Sequence, residues 1–244
     1  MTKTAAFIAT AVLLAACSGV TSNLPRDSRL SCAVALVYEG EPISQFLVQP
    51  GPSFVQAYVR FDSDLPDDVI FGIDQEFLDG VANPFHLKGG DWMSFIGVQR
   101  SGAVWVAGGT DKTMNGTPSK ERTWKIFDLG QPLMPNTWYR LRTEADFGTR
   151  RFRRFTVEGP GLARSLDLSD LKLDYPNYMP FSDRAMSFYV CAMRGRSLIN
   201  PNAPFHGVPV VYFDDASGGP IAADGSDRAA FTDGFWLATI ILTG

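Results

Sequence analysis

Histidine is nearly missing from this 244-residue chain, cysteine occurs only three times, and a basic surplus is absent. Each shortage removes a class of function. Two histidines and three cysteines, with no CxxC and no paired Cys/His spacing, leave no ligand set for a zinc site. Lysine and arginine number 22 against 26 aspartates and glutamates, a net charge of −4. No positive field is therefore available to hold nucleic acid. Hydrophobic residues make up 45% and charged residues 20%, which excludes a disordered chain and describes a globular one. No internal repeat and no linker-like tract divides the sequence, so one domain is expected. Helical periodicity is scarce as well: only 75–80 and 168–171 suit a helical turn.

Aromatic and turn-forming residues are abundant instead, with 18 Phe, 7 Tyr, 5 Trp, 23 Gly and 16 Pro. That composition favours strands joined by turns. Strands are predicted at 34–38, 54–61, 69–73, 92–100, 103–107, 122–129, 138–147, 151–158, 187–193, 208–214 and 235–242. Ser101 and Gly102 form a tight turn between two of them. In 138–147 the alternation is clear. Tyr139, Leu141, Thr143, Ala145 and Phe147 form an apolar side, and Trp138, Arg140, Arg142, Glu144 and Asp146 form a polar one. One side packs on a second sheet, and the other meets water or a ligand. The fold class is all-β, an antiparallel two-sheet β-sandwich.

The N-terminus has one Lys at position 3, an apolar run over 5–14, and then Leu14-Ala15-Ala16-Cys17. A basic start, a short apolar stretch and small residues before a cleavage point describe a secretory signal. The last four residues resemble the lipobox of bacterial lipoproteins. On that resemblance 1–16 is a lipoprotein signal peptide, Cys17 carries the lipid, and 17–29 is the lipidated Cys and its tether. Ser18 is not the Asp that resembles an inner-membrane retention signal, so the expected location is the outer membrane, facing the periplasm or the surface. The membrane is met through the lipid anchor only. Cys32 and Cys191 are then an even remainder in an oxidising compartment, expected as a disulfide. Two separate buried thiols are the alternative.

The stretch NTWYRLRTEADFGTRRFRRFTVEG, opened by Asn136-Thr137-Trp138-Tyr139, resembles the central hairpin of concanavalin A-like lectin/glucanase domains. SFYVCAMRG and VVYFDD resemble that family's closing strands. The similarity extends over 30–244 in strand order and is strongest over 92–216. It implies a LamG-like jelly roll in one domain, 30–244. The family includes lectins, hydrolases, lyases and adhesive modules, so the resemblance implies no single activity.

Glycoside hydrolysis needs two carboxyl groups across the scissile bond. Laminarinase-type members of the family carry Glu-x-Asp-x-x-Glu on a strand. The nearest match here is FGIDQEFLDG, with Gly72 where the first Glu stands and Asp74 and Glu76 on one strand face. Lyases of the family use a neutral base with an Arg or Gln that holds the uronate carboxyl. His86 and His206, each after Pro-Phe, and Arg142 are the candidates for that role. Sugar binding needs less: a ring to stack on a pyranose and a few polar groups beside it. Trp92, Trp105 and Trp124 supply rings, and Arg140, Arg142 and Glu144 supply polar groups. Small neighbours, Ala103 and Ala107, leave the Trp105 ring open, while Trp138 is read as packing.

The run GVPVVYFDDASGG ends a strand on two carboxylates, and alternation sends either Asp214 or Asp215 inward. Sandwiches that resemble this one hold a structural calcium at such a place, which implies Asp214, Asp215 and Glu39 as ligands of a calcium ion; hydrogen bonds or an Arg partner are the alternative. The sequence thus reads as a lipid-anchored, extracytoplasmic protein that binds a polysaccharide or other glycan without catalysis. A polysaccharide lyase or glycoside hydrolase on the same fold, and an envelope or adhesion lipoprotein with a protein partner, are the alternatives.

Overall fold

The computed structural model describes residues 30–38, 49–79, 89–114, 123–176, 178–179, 184–194, 210–229, 231–232 and 238–241. The signal peptide, Cys17, the tether, Glu39, His86 and His206 lie outside the described residues. Among the described residues are fifteen strands and one short helix, α1 (Asp111–Met114).

Eight strands form the first sheet. Its order is β1 (Leu30–Tyr38), β12 (Ala185–Arg194), β3 (Val69–Leu78), β5 (Ile96–Val98), β6 (Ala103–Gly108) and β7 (Thr123–Asp128). β4 (Gly89–Met93) also lies on β3, and β11 (Tyr178–Met179) lies on β4. Seven strands form the second sheet, in the order β10 (Leu162–Asp167), β9 (Arg151–Gly159), β8 (Tyr139–Asp146), β2 (Pro52–Phe61), β13 (Val210–Pro220) and β14 (Phe231–Thr232). β15 (Ala238–Ile241) pairs with β13. Every strand pairing is antiparallel. The architecture is the expected jelly-roll sandwich.

Period-two alternation builds the core between the sheets. Val55, Ala57, Val59 and Phe61 of β2 and Tyr139, Leu141 and Ala145 of β8 face Val69, Phe71, Ile73 and Phe77 of β3. Each fully buried Phe or Leu contributes about 1.5–3 kcal/mol relative to an exposed one. A second, smaller apolar cluster lies on the opposite side of the first sheet: Ile70, Met93, Phe95, Trp105, Ala107, Cys191 and Met193. β3 of that sheet is therefore buried on both faces.

The double burial explains where the predicted elements differ. Residues 75–78, read as a helical turn, continue β3, and all ten residues of that strand are buried. Gln75 points inward and its amide donates to the Ser53 carbonyl at 3.4 Å. The single strand predicted over 92–100 is broken into β4 and β5. At the break, the Ser94 N–H donates to the Gln75 carbonyl at 3.1 Å and to Asp74 Oδ1 at 3.0 Å. Residues 168–171 make one turn, closed by Leu171 N–H to the Leu168 carbonyl. The predicted turn at Ser101 and Gly102 is present, with Gly102 at φ 93°.

Neither terminal carboxylate points into the core. The β13–β2 register shifts between Asp214 and Ser217, and this bulge interrupts the alternation that sends one carboxylate inward. Asp215 is exposed at φ 48°, and Asp214 accepts the Asp215 N–H at 2.9 Å.

Candidate functional site

The register places the chemistry-bearing residues of the first sheet in rows on its outward face. Gly72 lies opposite Cys191 on one side and Gly97 on the other, and Gly97 lies opposite Trp105. Asp74 lies opposite Tyr189, Glu76 opposite Ser187, and Asp91 opposite Leu78. Cys32 is directly opposite Cys191 across β1 and β12.

Three buried carboxylates share this face: Asp74, Glu76 and Asp91. Glu76 Oε2 accepts the Tyr189 hydroxyl at 2.8 Å and the Ser187 hydroxyl at 3.4 Å. Burial above all, then the charge of Glu76, push the Tyr189 phenol well above its ordinary range. A Ser187 hydrogen bond opposes the shift and the charge of Asp91 adds to it. The shift favours the protonated phenol, the form that donates to Glu76. Sequence reasoning found Asp74 and Glu76 but missed Asp91 and Tyr189, which join them only through strand order.

Beside these carboxylates is an aromatic corner. Trp124 is partly exposed and stands edge-on to Trp105 (5.9 Å, 78°) and to Phe95 (6.0 Å, 83°). Trp105 shares a face with Ala103 and Ala107 as predicted, but its ring is not open. It is 6% exposed, and its Nε1–H donates to Gln99 Oε1 at 2.8 Å. Trp92 is a core residue. It stacks on Tyr175 (4.5 Å, 12°), lies under the Arg150 guanidinium, and donates from Nε1–H to Asp79 Oδ2 at 3.2 Å.

The predicted polar partners of these rings are on the other sheet. Arg140, Arg142 and Glu144 occupy the outward face of β8, across the sandwich from Trp105 and Trp124. Arg140 is paired with Glu158 at 2.6 Å. Arg142 spends all three nitrogens on the protein. Nε donates to Glu144 at 3.0 Å, Nη1 to Asp227 at 2.7 Å and to Gln56 at 3.3 Å, and Nη2 to Asp227 at 2.8 Å. Burial works to lower its pKa, but the hydrogen bonds and charges of Asp227 and Glu144 outweigh it and raise the value. A guanidinium so engaged has no fork left for a substrate carboxylate. Trp138, read as packing, is partly exposed beside Arg60.

Among the described residues no group of three or more His, Cys, Asp or Glu side chains is placed to hold a metal ion. Asp214 and Asp215 on their bulge do not converge with a third described ligand. Glu39, the third expected ligand, lies outside the described residues.

No family model matches the sequence, and no curated protein matches it. Among solved structures, the chain is similar in outline to an endo-β-1,4-glucuronan lyase from the fungus Trichoderma reesei. Identity is 13%, with 86% of this chain and 81% of that one covered and a TM-score of 0.47. An alginate lyase from Pseudomonas aeruginosa is 9% identical over 72% of this chain and 67% of that one, with a TM-score of 0.35. A Bacillus licheniformis β-glucanase is 12% identical over 71% and 68%, with a TM-score of 0.34.

Proposed function

We propose that the protein binds a glycan on the outward face of its first sheet and is held at the outer membrane by lipid on Cys17. The observation that carries the binding reading is the partly exposed Trp124 ring, braced edge-on by Trp105 and Phe95. A ring so held can stack on the apolar side of a pyranose. Trp124→Ala is expected to weaken glycan affinity about tenfold, the effect of roughly 1.4 kcal/mol. Titration calorimetry against the best ligand of a glycan array checks it, and equal affinity of variant and wild type overturns the assignment.

One observation favours hydrolysis as a second reading. Asp74 and Glu76 are alternate residues of one strand, which sets their Cα atoms about 6.5–7 Å apart. Both side chains therefore project from one strand face, as two carboxyl groups acting on one glycosidic bond must. Appearance of new reducing ends on incubation with purified protein separates this reading from binding alone.

The anchor and the disulfide are tested together. Intact-mass spectrometry of the membrane-extracted protein is expected to show the mature chain from Cys17, acylated, and two hydrogens short for a Cys32–Cys191 bond. The directly opposed register supports the bond. Two free thiols, or an unmodified Cys17, defeat the corresponding half.

A further inference from the structure

β7 ends the first sheet, and among the described residues no strand lies on its free side. We propose that this edge is a self-association surface, on which β7 pairs antiparallel with β7 of a second copy of this chain. The pairing does not depend on the glycan reading.

The phase of the hydrogen bonds shows which groups the edge offers. The Leu129 N–H donates to the Gly102 carbonyl at 2.9 Å. Along the same register Phe127 is opposite Val104 and Lys125 is opposite Val106. Bonded pairs alternate along an antiparallel ladder, so Phe127 and Lys125 turn their backbone groups to β6. The N–H and C=O of Trp124, Ile126 and Asp128 point the other way. A row of such groups is a template for another strand. Of the usual guards of an edge only a lysine is present. The strand, TWKIFD, has no Pro and is rich in β-forming residues. Its register with β6 has no shift, and Lys125, Ile126 and Asp128 are exposed. Ile126, at the centre, is 57% exposed.

Self-complementarity selects a second copy as the occupant. Residues opposed across an antiparallel ladder share a face, so a two-fold axis normal to the sheet must pass through a residue pair. Centring it on Ile126 sets Ile126 against its own copy, Trp124 against Asp128 and Lys125 against Phe127. The outward backbone groups then close about six hydrogen bonds. Trp124 and Ile126 share the outward face with Ala107 and Trp105, and there the two Ile126 side chains cover each other. Lys125 and Phe127 are on the core side with Val106 and Val104. Lys125, the one guard, can lie over the opposing Phe127 ring. The neighbouring registers are worse. Centring on Lys125 opposes two ammonium groups, and centring on Phe127 sets Ile126 against Asp128.

So short a pairing buries little area, and the association is weak, with a dissociation constant of about 10–500 μM. One consequence rests on the glycan reading. Trp124 leans on Trp105 and Phe95, away from the free edge, and the two-fold joins both outward faces into one. The two Trp124 positions are then roughly 14 Å apart along the strands, on one continuous surface.

The test is sedimentation velocity from about 1 μM to about 1 mM. It uses the full mature chain carrying Cys17→Ser, so that lipid does not drive association. A concentration-dependent monomer–dimer equilibrium is expected. Ile126→Pro removes the central outward N–H without removing a bond to β6, and Ile126→Lys sets two ammonium groups at the axis. Each should raise the dissociation constant about tenfold or more. Ile126→Lys alters an exposed side chain, so its thermal melt at the lowest concentration should match the wild type. Cross-linking reads the register. Opposed Ile126 Cα atoms are about 5.5 Å apart in a bonded pair, within disulfide reach. Ile126→Cys should therefore give a disulfide-linked dimer under mild oxidation. Lys125→Cys should not, because its two copies are diagonal and more than about 7 Å apart. Four results overturn the interface: a monomer at every concentration, association unchanged by both Ile126→Pro and Ile126→Lys, oligomers larger than a dimer, or Lys125→Cys linking as readily as Ile126→Cys.

Discussion

Gly72→Ala is expected to destabilise the protein by about 3 kcal/mol, at the upper end of the cost of overpacking a core. A Cβ at this position meets the Ile96 carbonyl oxygen at 2.0 Å and Gly97 Cα at 2.6 Å. Both are backbone atoms of the neighbouring strand. No rotamer relieves the clash, and β3 and β5 must separate. Urea unfolding of the variant against wild type checks the size of the loss, and a midpoint within error of wild type refutes it. Gly51→Ala is the control, since nothing lies within 4 Å of a Cβ there. The same contact explains a departure noted in the sequence. Gly72 stands where the laminarinase-type pattern has its first Glu, and Gly72→Glu cannot restore that pattern, because the sheet leaves no room for any side chain. Carboxylates on this strand begin at Asp74.

How much of this was legible in the sequence depends on how many faces of a strand are buried. β2 and β8 bury one face, so their alternation gave the core side and the wet side correctly. β3 buries both, and the residues past Ile73 lost their period and read as a helical turn. Tertiary burial overrode the pattern there. The carboxylates on β3 were visible, but Asp91 and Tyr189 reach them from β4 and β12 through a strand order that no local signal encodes. For the same reason the predicted ligand set was divided: Trp105 and Trp124 fell on one sheet, Arg140, Arg142 and Glu144 on the other. The bulge of β9 opposite Glu144 and Ala145 had a readable sign that alternation counting missed. In RFRRF the buried Phe152 and Phe155 are three residues apart instead of two, which is the spacing of a bulge. One carboxylate of Asp214 and Asp215 was expected inward because a bulge was again taken for regular strand.

Arg142 distinguishes a structural from a recognition role most sharply. Its side chain is 14% exposed, against 9% for Glu144 and 41% for Asp227. Its guanidinium also lies 4.4 Å from the centre of the Phe54 ring. Removing one member of a buried ion pair costs about 3–5 kcal/mol. Here Arg154 still serves Glu144, and Asp227 is partly hydrated, so the expected loss for Arg142→Ala is smaller, about 2 kcal/mol. In a domain of this size that lowers the melting temperature by about 4–8 °C. Arg142→Met separates the causes, because its side chain still covers Phe54 but offers no donor. Arg142→Lys keeps the charge, yet one ammonium cannot reproduce the two-pronged contact with Asp227 together with the bond to Glu144. Recovery in Lys should therefore be partial, and recovery in Met should measure the packing share alone. If Arg142 instead holds a substrate uronate, Arg142→Ala should leave the melting temperature unchanged and abolish uronate binding. The hydrogen bonds in place predict the reverse: a lower melting temperature in Ala, and no change in affinity for any uronate.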